Sequence, residues 1–227
     1  MGTFFHVAWM VMRKDLTIEV RSREIIYTTL FFAISCVLVF AVSFVREGRA
    51  IEDAAAGILW IAVTFAGTLA LGRTFERERQ TETLRALMLA PAERPAIYVG
   101  KLLGILILLG ATELIILPLT ALLFQAPLFG HPVLMVGLLA SGTVGFCAVG
   151  TLFAAMLVRA RTRDILLPIL LYPITIPVII AGVRGTSALI QPEADVAMAE
   201  FWITLLVFFD VVFVTLSLWT FEPVMTE

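Results

Sequence analysis

Six long, continuously apolar runs constrain what this sequence can fold into more than any other feature. A bilayer core of about 30 Å is crossed by about 20 helical residues, and each run is of about that length. None of the runs has the alternating pattern of a lipid-facing β-strand. Only 15% of the residues are charged and 60% are hydrophobic, so a water-facing surface is excluded. The sequence therefore predicts an all-α integral membrane protein, with spans at residues 26–45, 54–72, 102–124, 133–158, 165–183 and 201–221.

The basic residues are distributed unevenly around these spans. Thirteen of the 16 Lys and Arg residues lie before the first span or in the second and fourth connections. Only Arg46, Arg49 and Arg184 lie in the other connections. Because the cytoplasmic segments of membrane proteins are enriched in Lys and Arg, both chain termini are predicted to lie in the cytoplasm.

Residues 1–25 are predicted to form an amphipathic helix before the first span. Apolar residues that recur at steps of three or four share one face, at Phe5, Trp9, Met12, Leu16 and Val20. Arg13, Asp15 and Arg21 fall on the complementary face. We predict that this helix lies in the headgroup plane of the membrane, as such helices can. The alternative is a cytoplasmic helix that packs on the protein.

The longest polar stretch, residues 73–101, is predicted to be a cytoplasmic coupling segment. Its Leu84, Leu87 and Met88 share one face of a short helix that Pro91 must end. An exposed Leu/Met face favours docking into a groove on a partner protein, and the alternative is that the helix folds back on this chain's own cytoplasmic ends. The residues assigned to docking and coupling are Glu76, Glu78, Thr83, Leu84, Leu87, Met88 and Arg94.

Two acidic residues, Glu113 and Asp210, lie near the middle of the third and sixth predicted spans. An ionised side chain is costly at that depth, and no basic residue lies in any predicted span to pair with them. We expect each carboxyl to be hydrogen-bonded, to groups such as Thr112, Ser141 or Thr143. The functional interpretation is a polar patch in a pathway or a switch between helices, and the alternative is a structural hydrogen bond.

Small and aromatic residues predict how the spans pack. Trp60, Trp202, Trp219 and Tyr98 are assigned to an aromatic belt near the span borders. Residues 184–200 are predicted to form an outer loop, with one helical turn at the membrane surface as an alternative that the sequence leaves open. The fourth span has a smooth surface that favours close helix packing, formed by Gly137, Ser141, Gly142, Gly145 and Gly150.

The order of these features resembles the permeases of type two ABC exporters. More narrowly, the chain resembles the heme exporter protein B family (CcmB) of the cytochrome c maturation system, over essentially its whole length. The motifs that carry this resemblance are Lys14–Leu16, Arg21–Glu24, Gly57–Trp60, Glu76–Glu78, Thr83–Leu87, Pro91–Lys101, and Asp164–Pro168 with Pro173 and Pro177.

The resemblance implies a permease subunit in the bacterial inner membrane. Such a subunit pairs with a separate ABC ATP-binding subunit, with other membrane subunits of cytochrome c maturation, and with a second copy of itself. The resemblance also implies heme as a possible cargo of the complex and a periplasmic heme chaperone that receives it. The resemblance leaves open whether this subunit moves heme or uses ATP-driven motion to release the loaded chaperone.

No phosphate-binding loop is found in the sequence, so ATP is expected to bind only to the partner. The single Gly-Lys pair, Gly100-Lys101, has Pro95 where such a loop needs glycine, and Leu102 follows where Ser or Thr is needed. The two cysteines, Cys36 and Cys147, cannot complete a zinc site, and no cofactor or metal is predicted on this chain.

His131 is the candidate heme contact, because it lies in a predicted outer loop where an axial ligand would be useful. The alternative is a turn residue beside Gly130 and Pro132. Three other functions compete with this one: a general type two exporter permease for a lipid, polysaccharide or drug, an intramembrane enzyme using the two acids in the spans, and a passive scaffold. The enzyme is disfavoured because the sequence has no nucleophile–base pair and no His-Glu-x-x-His motif.

Overall fold

The computed structural model describes residues 2–46, 49–50, 54–76, 94–158 and 160–226. Within them the chain forms seven α-helices and one pair of two-residue strands, which pair antiparallel with Val45 opposite Ala50. The elements are α1 (Gly2–Ser22), α2 (Glu24–Ser43), β1 (Val45–Arg46), β2 (Arg49–Ala50), α3 (Ala55–Arg73), α4 (Arg94–Phe124), α5 (Pro132–Met156), α6 (Arg163–Ile190) and α7 (Val196–Thr226).

Six of these helices, α2 to α7, are long and apolar enough to cross a membrane, which confirms the predicted fold class. The α3 and α5 spans are the most buried, and α2 and α7 are the most accessible. Accessible side chains on the outer helices are large and apolar, as at Phe31 and Trp219. Because lipid is as apolar as these side chains, their exposure to the bilayer carries no penalty.

Glycines let the two central helices approach each other closely, as predicted for the fourth span. On α5, Gly142 faces the ring of Trp60 and Gly150 faces Leu71, both from α3. The same helix meets α7 at Gly145, where an added Cβ would lie 3.0 Å from Phe209 Cδ1. Side chains larger than hydrogen would force these helices apart, so the glycines determine the interhelical distance.

The aromatic-belt prediction is wrong for two of its four residues. Trp60 is fully buried, and its Nε1 donates a hydrogen bond to Thr186 Oγ1 on α6 at 3.0 Å. Tyr98 is also fully buried, and its hydroxyl donates to the Ala148 carbonyl at 3.0 Å. Each of these side chains has one polar group. Because that group has a hydrogen-bond partner inside the bundle, the side chain does not have to lie at the membrane–water interface.

The outer connection between α6 and α7 is shorter than predicted. Helix α6 continues to Ile190 and α7 begins at Val196, so most of the expected 184–200 loop is helical. Gly185 lies against Leu138 of α5 and Trp202 of α7, which shows that this last part of α6 is packed. The backbone N–H of Met198 donates to Asp195 Oδ1 at 2.9 Å and caps the start of α7.

Candidate functional site

Charged side chains from five helices meet at one end of the bundle. This basic end contains the first turns of α2, α4 and α6 and the last turns of α3 and α7, and α1 packs beside it. Ion pairs there join residues that are far apart in sequence, as at Arg73, whose guanidinium lies 2.5 Å from Glu24 Oε1. The coupling segment predicted at residues 73–101 enters and leaves the bundle at this end.

Glu76 and Arg163 form an ion pair at this end whose cation is buried. Arg163 is the first residue of α6, and its side chain is 7% exposed. Its Nη2 donates to Glu76 Oε2, three residues beyond the end of α3, and its Nε lies 3.3 Å from Asp164 Oδ1. A buried guanidinium is costly without a counter-ion, so this contact holds the start of the coupling segment to α6.

Arg94 anchors the other end of the coupling segment. It is the first residue of α4, and its Nη1 lies 3.6 Å from Glu222 Oε1 near the end of α7. The two described ends of the segment are therefore bonded to two different spans, α6 and α7. Glu222 is 62% exposed and Arg94 is 30% exposed, so water screens this pair and its own contribution to stability is small, roughly 0–1 kcal/mol.

Lys101 is a charged residue that the sequence analysis did not assign to the site. Its side chain is 1% exposed, and its Nζ lies 2.9 Å from Asp15 Oδ2 of α1. The same ammonium donates to the Thr74 carbonyl at 3.0 Å and lies 5.1 Å from the centre of the Phe75 ring. One buried cation thus joins α1, the end of α3 and α4. The sequence carries one signal of this: a lysine at the start of an apolar span needs a counter-charge.

Helix α1 packs on α4, so the predicted arrangement of its faces needs correction. Ala8 and Val11 are buried, and an added Cβ on Gly100 would lie 2.6 Å from the Ala8 carbonyl oxygen. Asp15, predicted on the water-facing side, lies in this contact through its ion pair with Lys101. Because the carboxylate is paired, the interface accepts a charged residue that periodicity alone would place in water.

The opposite side of α1 carries the exposed aromatic residues. Phe5 is 70% exposed and Trp9 is 58% exposed, while Arg13 and Arg21 are accessible too. Periodicity grouped Met12 with Phe5 and Trp9, but Met12 is buried with Ala8 and Val11. The helix therefore has two apolar surfaces, one against α4 and one accessible. A helix docked on the protein still offers an aromatic face to the membrane surface, and the headgroup-plane placement stays a prediction.

The junction between α1 and α2 depends on a second residue that sequence reasoning missed. Arg23 has a positive φ of 56°, which interrupts the helical backbone and separates α1 from α2. The buried Glu19 carboxylate accepts a hydrogen bond from the Ile26 backbone N–H at 2.8 Å. Glu19 therefore caps α2 from the preceding helix, and this cap holds the two helices together at their junction.

The two acids in the spans, Glu113 and Asp210, both lie against α5, but each contacts a different residue of that helix. Glu113 is buried, and its Oε1 accepts a hydrogen bond from Thr143 Oγ1, one of the partners expected from the sequence. Asp210 is half-buried beside Gly145, and no described residue forms a hydrogen bond with its Oδ1. The other expected donors, Thr112 and Ser141, bond to carbonyls of their own helices instead.

His131 lies at the end of the bundle remote from the basic end. It is half-buried at the N-cap position of α5, with Pro132 as the first helical residue. The structure does not bring it near any predicted site residue at the basic end. No group of three or more His, Cys, Asp and Glu side chains that could hold a metal ion is found within the described ranges.

Five predicted coupling residues fall outside the described residues: Glu78, Thr83, Leu84, Leu87 and Met88. The two remaining members of that set, Glu76 and Arg94, are described and form the ion pairs given above.

Comparison with known proteins identifies the family. The family model described as CcmB protein matches residues 6–225. The chain is 32% identical over 181 residues to the Heme exporter protein B of Escherichia coli strain K12, covering 79% of this chain and 81% of that one. It is 29% identical over 183 residues to the protein of the same name from Rhodobacter capsulatus, covering 79% and 84%. It is also 28% identical over 171 residues to that of Pseudomonas aeruginosa, covering 75% and 76%. The chain is a multi-pass membrane protein that belongs to the CcmB protein family.

Proposed function

We propose that this chain is the permease subunit of an ATP-driven heme exporter that serves cytochrome c maturation. Three relatives with about 30% identity over most of the chain carry the name Heme exporter protein B. The six candidate spans and the match of the sequence to the family model over residues 6–225 support the role of a permease. Heme is the cargo of the complex in this proposal.

The orientation follows from charge. Thirteen of the 16 Lys and Arg residues belong to the basic end, to α1 or to the segments that join them. The positive-inside rule then supports a basic end in the cytoplasm of the bacterial inner membrane, with both termini on that side. The short connections at the other end, which include His131, would face the periplasmic heme chaperone.

The single observation that carries the coupling proposal is the buried Glu76–Arg163 ion pair. The coupling segment leaves α3 at Glu76 and returns at Arg94, and both residues are bonded to other spans. A push on this segment by a nucleotide-binding partner would therefore act directly on α6 and α7. Because packed helices move as rigid units, a displacement at the basic end tilts or shifts the whole span.

A separate ABC subunit binds and hydrolyses ATP in this proposal, and the permease supplies no catalytic residue. The Leu84, Leu87 and Met88 face docks into a groove on that partner. Two permease copies and two ATP-binding subunits, with the other maturation subunits, would complete the complex. The exposed Phe5 and Trp9 surface of α1 rests in the headgroup region.

The test replaces Leu84 and Leu87 together with Asp in the full complex. We expect loss of co-purifying ATP-binding subunit, of permease-stimulated ATP hydrolysis and of holocytochrome c. The matched control is Met198→Asp, an exposed apolar residue at the start of α7 at the remote end, which adds a carboxylate without touching the coupling segment. Unchanged assembly and hydrolysis in the Leu84/Leu87 double variant would refute the coupling site.

A further inference from the structure

A groove runs along α3 between α2 and α6. Helix α3 is otherwise buried, yet one strip of it is accessible, with Phe65 45% and Leu69 38% exposed and Arg73 also accessible. Residues four apart share one face of a helix, so these positions form a continuous strip. An added Cβ on Gly72 meets nothing within 4 Å, so the strip borders open space.

At the basic end the groove widens into a cleft of about 480 Å³. Its lining includes Glu24 from α2, Leu69 and Arg73 from α3, and Asp164 and Leu167 from α6, with Glu76 beyond the end of α3. Polar and apolar groups thus meet at the level where the spans end and lipid headgroups begin. A ligand that fits must be charged at one end and apolar at the other.

The charges of this cleft favour a cationic group. Its described lining carries three carboxylates, on Glu24, Glu76 and Asp164, and one guanidinium, on Arg73. Arg163 pairs with Glu76 and also lies 3.3 Å from Asp164 Oδ1, but the Asp164 side chain is 82% exposed, so its carboxylate remains accessible to a ligand. Arg73 has five N–H donors and contacts Glu24 through one of its terminal nitrogens, so donors remain for an anionic group. With the guanidinium of Arg163 behind the lining also counted, carboxylates still outnumber guanidinium groups by three to two, which is complementary to a zwitterion and disfavours a dianion such as a porphyrin with two carboxylates.

Deeper in the membrane the groove has aromatic walls. The Phe65 ring centre lies 6.0 Å from that of Phe32 on α2 and 6.0 Å from that of Tyr172 on α6. Tyr172 accepts a hydrogen bond from Thr68 Oγ1 at 3.2 Å, which holds this ring in place. The three rings lie side by side, with Phe65 between the other two. A hydrocarbon chain can pack against these rings and Leu69.

We propose that this groove binds one phospholipid with a primary-ammonium headgroup, of the phosphatidylethanolamine type. The ammonium bonds to the carboxylates of Glu24 and Asp164, the phosphate bonds to Arg73, and one acyl chain follows Leu69 and Phe65. Carboxylates accept hydrogen bonds from a primary ammonium but not from a trimethylammonium, which has no N–H, so the site discriminates by headgroup methylation. The proposal does not depend on the heme-export function or on which end of the bundle faces the cytoplasm.

The test measures lipid retention on the purified full-length protein by native mass spectrometry. The protein is titrated in detergent with phosphatidylethanolamine, phosphatidylcholine and phosphatidylglycerol that carry identical acyl chains. We expect one phosphatidylethanolamine per chain, retained about tenfold better than phosphatidylcholine, because charged hydrogen bonds are lost with the latter. Equal retention of these two lipids, or preferential retention of phosphatidylglycerol, would overturn the proposal.

Variants test where the lipid binds and whether another molecule covers the groove instead. Glu24→Gln with Asp164→Asn should abolish the preference, while the matched pair Glu193→Gln with Glu200→Gln, at the remote end, should preserve it. Leu69→Trp should displace the lipid by filling the groove. If Leu69→Cys instead forms a disulfide between two copies in native membranes, a second copy covers the groove and the lipid proposal fails.

Discussion

Arg163, the first residue of α6, is ion-paired inside the protein with Glu76, which lies 87 positions earlier, just beyond the end of α3. The pair joins the start of the coupling segment to the span that carries Pro168, Pro173 and Pro177. Since the Arg163 side chain is almost fully buried, the cation depends on this contact for its counter-charge.

We expect Glu76→Gln to destabilise the protein by about 3 kcal/mol, since the buried cation of Arg163 loses its main partner. Arg163→Gln should have a similar effect. The double variant should lose less stability than the two single variants lose in total, which corresponds to a coupling energy of about 1–3 kcal/mol. Thermal unfolding in detergent and permease-stimulated ATP hydrolysis are the measurements. Arg161→Gln, an exposed neighbour in the same turn, is the control and should behave as wild type.

Lys101→Met should loosen α1 from the bundle, because Asp15 would lose a cation that lies 2.9 Å away. The expected loss of stability is about 1–3 kcal/mol, because the Thr74 carbonyl loses its donor, while Asp15 is partly exposed and keeps Lys14 at 3.1 Å. Limited proteolysis should cleave the α1–α2 junction near Arg23 faster than in wild type. Arg13→Gln, at an exposed position of the same helix, should leave the cleavage rate unchanged. A protected junction in the Lys101 variant would show that α1 is held by packing alone.

Gly142→Ala should lower the melting temperature, because the added methyl group would overlap the ring of Trp60. Overpacking of this kind costs about 1–3 kcal/mol. Gly57→Ala is the matched control on α3, where an added Cβ meets nothing within 4 Å. The control should be neutral or slightly stabilising, since alanine favours helix over glycine by about 1 kcal/mol. Equal melting temperatures for the two variants would contradict the close approach of α3 and α5.

Glu113→Gln should retain stability and holocytochrome c formation, because the amide oxygen can accept the same hydrogen bond from Thr143. Glu113→Leu removes the acceptor and leaves the Thr143 hydroxyl without this partner, at a cost of about 1–3 kcal/mol. Unfolding temperature and holocytochrome c yield are measured for both. Normal stability together with lost maturation in Glu113→Gln would instead assign the carboxyl a role in transport.

Thr83→Cys should react with a membrane-impermeant maleimide only from the cytoplasmic side, if the coupling segment meets an ATP-binding partner. Glu193→Cys, in the connection between α6 and α7, should react only from the periplasmic side. The two labels are compared in intact spheroplasts and in inverted vesicles. The reverse pattern would invert the proposed topology and separate the coupling segment from ATP.

The six spans and the close packing of α5 could be predicted from the sequence because both depend on local properties. Span length and hydrophobicity are set by about 20 consecutive residues, and a row of glycines makes a helix smooth wherever it packs. The apolar residues that recur every three or four positions in α1 likewise predicted a helix. They did not predict which of its two apolar faces packs on α4. That choice depends on Gly100 and on the buried charge of Lys101.

Sequence alone determined that the chain is a six-span membrane protein with its basic residues gathered at alternate connections. Only the tertiary structure decided which charges meet, because the partners of Arg163 and Lys101 lie on helices distant in sequence. It also placed Trp60 and Tyr98 in the interior, since position along a span says nothing about which side of the helix faces its neighbours. Interhelical ion pairs and buried rings are set by how helices are arranged in three dimensions, and no local pattern encodes that arrangement.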